Sequence, residues 1–239
     1  MQTFQDFQQI LFLDIETVSG KKSYSELSDK MQLLWNRKAQ TLAPVKDLPP
    51  AEAYTERAAI YAEFGKIICI SCGYLIWQDG EPGFRVKSFY DIDEKSILLS
   101  FSEMIQKKAG WRLCAHNGKE FDYPYLCRRL LINGISIPDI LSIQGKKPWE
   151  ISHLDTLELW KFGDYKAFTS LDLLAAVFDL PTPKEDISGA DVGRVFWQEN
   201  DLERIRKYCE KDVFTTAQIL LKMGGLNPVA QDKITYIEG

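Results

Sequence analysis

The chain has 239 residues, 45% hydrophobic and 12% aromatic, with a net charge of −5 at neutral pH. That length and composition suit one large domain, or one domain with an insertion, and leave no room for a second large catalytic module. The acidic balance argues against a general nucleic-acid coating protein, which is usually basic, but not against an enzyme that binds nucleic acid locally with the help of bound cations.

In chain order, the N-terminal "MQTFQDFQQ" lacks the basic start and apolar core of a signal peptide. No apolar run reaches the length of a membrane span, so a cytoplasmic protein without membrane contact is expected. Residues 10–14 read as a strand that ends in the acids of "LFLDIET". Leu27, Met31, Leu34 and Trp35 then recur at helical spacing behind capping serines, and "TLAPVKDLPP" breaks the pattern before a second helical stretch, "AEAYTERAAIYAEF". A helical insertion of residues 21–64 is therefore expected between the first two strands. "GKIICISCGYLIWQ" and "FRVKSFY" read as a hairpin across "DGEPG".

"DEKSILLSFSEMIQKK" is an amphipathic helix, "WRLCAH" a strand, and "FDYPYLCRRLLINGI" a helix stopping at Gly134. A short strand leads into a helix in "PWEISHLDTLELWK". "SLDLLAAVFDL", "DVGRVFWQEN" and the long "DLERIRKYCEKDVFTTAQILLKM" are further helices. The tail from Gly224 reads as loosely structured. Residues 1–223 are thus expected to form one domain and 224–239 a C-terminal tail. The element order points to an α/β fold, a mixed sheet with an early antiparallel hairpin, flanked by helices.

The five cysteines are odd in number and dispersed, as in a reducing compartment. Cys69 and Cys72 make a single C-x-x-C with no second pair and no nearby histidine, which reads as two buried strand cysteines rather than a redox or zinc site.

Asp14 and Glu16, two apart on a strand, point the same way and repel each other unless something positive lies between them. Alone they also fit a solvated strand end or a helix start. Asp122, in "HNGKEFDYPYL", stands at the start of a helix, where an acid is ordinary. Tyr208 and Asp212, in "YCEKD", share a helix face at i and i+4. Each is weak by itself. In this order, "LFLDIET", "HNGKEFD" and "YCEKD" resemble the three motifs of the DEDD superfamily of 3'-5' exonucleases, with the DnaQ-like, ribonuclease H-like fold. Tyr208, with Lys207 where the other branch has histidine, places the resemblance in the tyrosine branch (DEDDy). "HNGKEFDYPYL" resembles the exonuclease domain of family B DNA polymerases, and the chain is similar to stand-alone bacterial exonucleases of that type.

The resemblance implies two divalent cations, Mg²⁺ or Mn²⁺, which prefer carboxylate oxygens. It implies that Asp14 bridges both ions, that Glu16 and Asp212 complete one site, that Asp122 supports the other, and that Tyr208 holds the attacking water. Thr17, Asn117 and Phe121 are the implied substrate contacts, Phe121 by packing beneath the site. The implied reaction is hydrolysis at the 3' end of DNA, with single-stranded DNA the expected form, and with the rate rising into the alkaline range.

His116 is expected to be structural and Asp155 a helix N-cap. Basic and aromatic stretches at "KKAGWR", Arg128-Arg129 and Lys146-Lys147 beside Trp149 are candidates for the strand path, and the insertion for shaping the channel. The implied partner is nucleic acid with a free 3' end, DNA over RNA, with room for association with a polymerase or repair system. An exoribonuclease of the same fold, a non-catalytic nucleic-acid-binding module and a thiol redox protein are the alternatives.

Overall fold

The computed structural model describes residues 4–78, 81–164, 166, 168–181 and 186–237. A six-stranded mixed sheet forms the centre, in the order β5-β4-β1-β2-β3-β6. β1 (Ile10–Ser19), β2 (Gly65–Gln78) and β3 (Glu81–Tyr90) pair antiparallel, while β4 (Arg112–Ala115) and β5 (Leu154–Asp155) add in parallel on the β1 side. This is the mixed α/β arrangement the element order suggests. Residues 79–80 of the hairpin turn lie outside the described residues.

β1 alternates strictly. Leu11, Leu13 and Ile15 enter one core with α3 (Glu94–Gln106) and α4 (Asp122–Ile132). Ile10 and Phe12 belong to a second core with α8 (Leu202–Met223). Asp14 and Glu16 share the parity of Phe12, so they project to the α8 face. Gly73 is needed on that face, because a Cβ there would meet the ring of Phe84.

The helices start where the sequence supplies caps. Ser28 accepts from Met31 N ahead of α1 (Asp29–Ala39), Asp93 from Lys95 N ahead of α3, Ser170 from Leu173 N ahead of α6 (Leu171–Val177), and Asp201 from Arg204 N ahead of α8. Each such bond satisfies an otherwise orphaned N–H. α1 and α2 (Pro50–Arg57) lie between β1 and β2 and carry their own small core. Trp35 is fully buried there, edge-on to Tyr54 at 5.4 Å, and donates its indole N–H to Pro50 O at 2.9 Å.

Four features differ from the sequence reading. β1 continues to Ser19, so its acids lie mid-strand, followed by a bulge between Glu16 and Thr17. The second helical stretch stops at Arg57 and tightens into a 3₁₀ turn, Ala58–Ile60. The stretch after α7 (Val192–Arg194) widens into a π turn, Val195–Glu199. The tail is not loose: Val229 is buried and bonds Gln218 in both directions, and β6 (Ile234–Ile237) extends the sheet in parallel beside β3.

Cys69 and Cys72 are buried, as expected for strand cysteines. Three positions apart on β2, they fall on opposite faces and join different cores, so the sheet separates their thiols.

Candidate active site

Three elements deliver the predicted acids to one place. β1 brings Asp14 and Glu16. The α4 N-terminus brings Asp122, which reaches across to accept the Ile15 backbone N–H at 3.2 Å. α8 brings Tyr208 and Asp212, held in register by the buried stripe Ile205, Cys209, Val213 and Ala217 on the same helix. The Tyr208 hydroxyl hydrogen-bonds the Asp212 carboxylate one turn on.

The charges of these groups bear on one another. Burial, then the charges of Asp122 and Asp212, hold the Asp14 carboxyl well above its ordinary value. Burial, then Asp14 and Asp212, do the same to Glu16. Burial pushes Asp122 up to about 7, against backbone N–H bonds that pull it down. Burial and the neighbouring carboxylates raise the Tyr208 hydroxyl far above its ordinary range. A cluster so unfavourable to its own negative charge could hold cations.

One neighbour was not anticipated. The Cys209 thiol lies 3.2 Å from Asp14 Oδ2 and 3.5 Å from Asp14 O. One ligand atom each from Asp14, Glu16 and Cys209 all lie within 4.8 Å of one another. Burial raises the Cys209 thiol well above its ordinary value, so it stands as an S–H donor rather than a thiolate ligand. Its position inside "YCEKD" was the available signal. Further along the α8 face, Ser71 and Ser88 bond each other at 2.8 Å, Ser88 donates to Glu210 at 2.7 Å, and Arg206 donates to Glu210 at 2.7 Å. This polar row continues the cross-strand line Asp14–Ser71–Ser88.

The turn before α4 is rigid. Asn117 takes up a left-handed backbone, φ 65°, which asparagine tolerates. Asp155 is buried and caps α5 (Thr156–Lys161) by accepting from Leu157 N and Glu158 N, as expected. It also accepts from Asn117 N at 2.9 Å and Lys119 N at 3.0 Å, and so fixes the turn that aims Asp122. His116 is engaged at both ring nitrogens, by Thr156 Oγ1 and Thr169 O, each at 2.9 Å, which fits a structural role.

Of the remaining expected contacts, Thr17 bonds the Tyr125 hydroxyl through its side chain. Phe121 is half-buried and tilts on Tyr125 at 5.3 Å. Arg129 is no strand ligand. Its guanidinium is committed to Glu94, at 2.8 and 2.5 Å, and to Ala62 O at 2.6 Å. Lys108 lies over the rings of Tyr74 and Trp111, so "KKAGWR" is also partly structural. Trp149 remains 77% exposed, with Lys147 over its ring.

Sheet order and acid placement together define an α/β protein with a six-stranded mixed sheet and an acidic cluster on its α8 face. The chain belongs to the family of predicted 3'-5' exonucleases related to the exonuclease domain of PolB, whose model matches residues 60–234. That span holds Asp122, Tyr208 and Asp212, while Asp14 and Glu16 lie ahead of it. The chain is 25% identical over 169 residues to a DNA polymerase of Desulfurococcus sp. (strain Tok), covering 58% of this chain and 20% of the relative. It is 23% identical over 161 residues to a DNA polymerase of Pyrococcus glycovorans, with the same coverage of 58% and 20%. It thus spans about a fifth of the length of these curated relatives. The solved family B DNA polymerase of the hyperthermophilic archaeon Pyrobaculum calidifontis shares the fold, with a TM-score of 0.56 and 16% identity over 90% of this chain and 24% of that one. Among the described residues, no helix is long and apolar enough to cross a membrane.

Proposed function

We propose that this chain hydrolyses phosphodiester bonds from the 3' end of DNA, acting on unpaired ends. The observation that supports this reading best is the convergence of Asp14, Glu16, Asp122 and Asp212, with Tyr208 bonded to the last, in a protein of a predicted exonuclease family.

The donor set fits two hard divalent cations, Mg²⁺ or Mn²⁺. It offers carboxylate oxygens, and the sulfur beside Asp14, that of Cys209, is a protonated thiol. Asp14, Glu16 and Asp212 would hold one ion, and Asp14 with Asp122 the other. Bound there, the cations would supply a nucleophile at neutral pH and neutralise charge on the phosphate and leaving oxygen.

The chain's own residues do the rest. The Tyr208 hydroxyl, which stays protonated, orients the attacking water from above Asp212. Cys209 steadies Asp14, and Asp155 steadies the turn carrying Asp122. Thr17 with its bulged backbone, Asn117 and Phe121 border the place of the terminal nucleotide, Phe121 as packing beneath it. Residues 1–223 form the catalytic unit, with the 21–64 insertion shaping the entry beside β1. In the tail that follows, β6 (Ile234–Ile237) completes the sheet edge.

Paired DNA and RNA strands of one sequence, labelled at the 3' end, test the substrate. Release of labelled mononucleotide in the first turnover, faster from DNA, is expected. Faster release from RNA would move the substrate to RNA, where 2'-hydroxyl contacts decide.

A further inference from the structure

The segment joining α5 to α6 holds two phenylalanines out in water. Phe162 is 90% exposed and Phe168 is 70% exposed. Phe162 also adopts a left-handed backbone, φ 44°, a strained conformation for a residue with a side chain. Neither ring closes the core. That role falls to Trp160, which packs on Phe178 at 5.5 Å in the α6–α8 cluster, while Phe162 only meets the edge of Trp160 at 6.4 Å.

The segment is tied to the acid cluster. Thr169 O lies 2.9 Å from His116 Nε2, and His116 directly precedes Asn117. A cleft of about 560 Å³ lies beside both regions: its lining includes Asn117, the neighbour of His116, and Lys161, the neighbour of Phe162. Leu131 and Leu157 give it an apolar wall, and Arg128 and Lys146 also line it. The lining also carries Glu120, Asp155 and Glu158, of which Asp155 is bonded to the turn and Glu158 to Lys119. The four cations still exceed the three acids, and in a chain of net charge −5 that local excess beside apolar surface and exposed rings suits an anionic strand with flat bases rather than a basic protein surface.

We propose that Phe162 and Phe168 form a stacking platform for unpaired bases of the substrate strand 5' of the scissile linkage, with Arg128, Lys146 and Lys161 meeting its phosphates along the cleft. This rests on the exonuclease reading and adds to it a grip on single strands remote from the reacting atoms. Stacking tolerates any base, so the platform confers a preference for length, not sequence.

Fluorescence anisotropy with labelled oligothymidylates of fifteen and three nucleotides, in Ca²⁺, tests this on the full chain. The double variant Phe162→Ala, Phe168→Ala should bind the longer strand about tenfold or more weakly, and the shorter one far less affected. Phe162→Trp should retain tight binding of the longer strand. Both side chains are exposed, so an unchanged thermal melt is the folding control. If the wild-type chain shortens the longer strand in Mn²⁺ yet the double variant binds it as tightly, the platform is wrong and the exonuclease reading stands. If the wild-type chain neither binds nor shortens it, the exonuclease reading fails and the platform falls with it.

Discussion

The Cys209 thiol stands 3.2 Å from Asp14 Oδ2, so the residue between Tyr208 and Glu210 on α8 touches an acid on the central strand. Helix and strand are thereby fixed to each other at the point where cations would bind. Cys209→Ala removes the donor with little change of volume. It is expected to cost about 1 kcal/mol of Asp14 orientation, or about fivefold in rate, with Cys209→Ser closer to wild type. Kinetics across Mn²⁺ concentration check this. An unchanged rate and Mn²⁺ requirement would reduce the thiol to packing.

Tyr208→Phe keeps the ring but loses the hydroxyl that bonds Asp212. Burial and nearby carboxylates raise that hydroxyl far above its ordinary range, which casts it as a donor rather than a base. The rate of the wild-type enzyme should therefore rise with pH into the alkaline range. The variant should lose about 10²-fold in kcat with Mn²⁺ binding retained. A wild-type rate that falls above neutral pH while the protein remains folded would contradict this role.

Asp122 ties stability to pH. Its folded pKa, about 7, lies above the ordinary 3.8, so the native chain holds a proton that the unfolded chain releases. The stabilisation is complete below about 3.8 and is lost as pH rises through about 7. Asp14 and Glu16 act with the same sign. Asp191, drawn down to about 2 by its bonds to Ser188 and Arg194, acts with the opposite sign, so the cation-induced difference is the clean readout. The rise in Tm on adding Mg²⁺ should be larger at neutral than at acid pH. A rise independent of pH would show that these carboxyls do not gain from the cation.

Glu94 and Arg129 form a buried pair between α3 and α4, and Glu94 also accepts from Ile67 N at 2.7 Å and Asn133 Nδ2 at 2.9 Å. Glu94→Ala leaves the guanidinium buried without its partner and should destabilise by about 3–5 kcal/mol in denaturant titration. A loss under 1 kcal/mol, on the scale of a surface ion pair, would mean the site relaxes into water.

Asp155→Ala removes a cap and orphans the N–H groups of Asn117 and Lys119, at a cost of about 2–4 kcal/mol. Because Asp155 is a positioning residue, Mn²⁺ stoichiometry should stay as in wild type. Loss of one equivalent would make it a ligand instead.

Much of this was legible in the chain. Period-2 and period-3.6 patterns carried β1 to β4 and the long helices, and the capping serines ahead of the first insertion helix marked a start that the structure retains at Ser28. The acids stood out as three motifs, and the structure brings those motifs together. What escaped depends on tertiary contact. β1 runs on through its acids because their side chains face α8 rather than solvent. The four residues of β6 are too short for periodicity to register and gain their order from β3. Arg129 reads as a surface cation until Glu94 meets it. Cys209 and the second role of Asp155 are visible only when strand, turn and helix come together.

A time course on 5'-labelled single-stranded DNA, with Mg²⁺, Mn²⁺ or EDTA and with Asp14→Ala as the control, tests the central claim most directly. The account predicts a ladder that shortens from the 3' end, requires the cation, and vanishes in the variant. A folded wild-type chain that leaves the strand intact with both cations, or an Asp14→Ala chain that still makes the ladder, would contradict it.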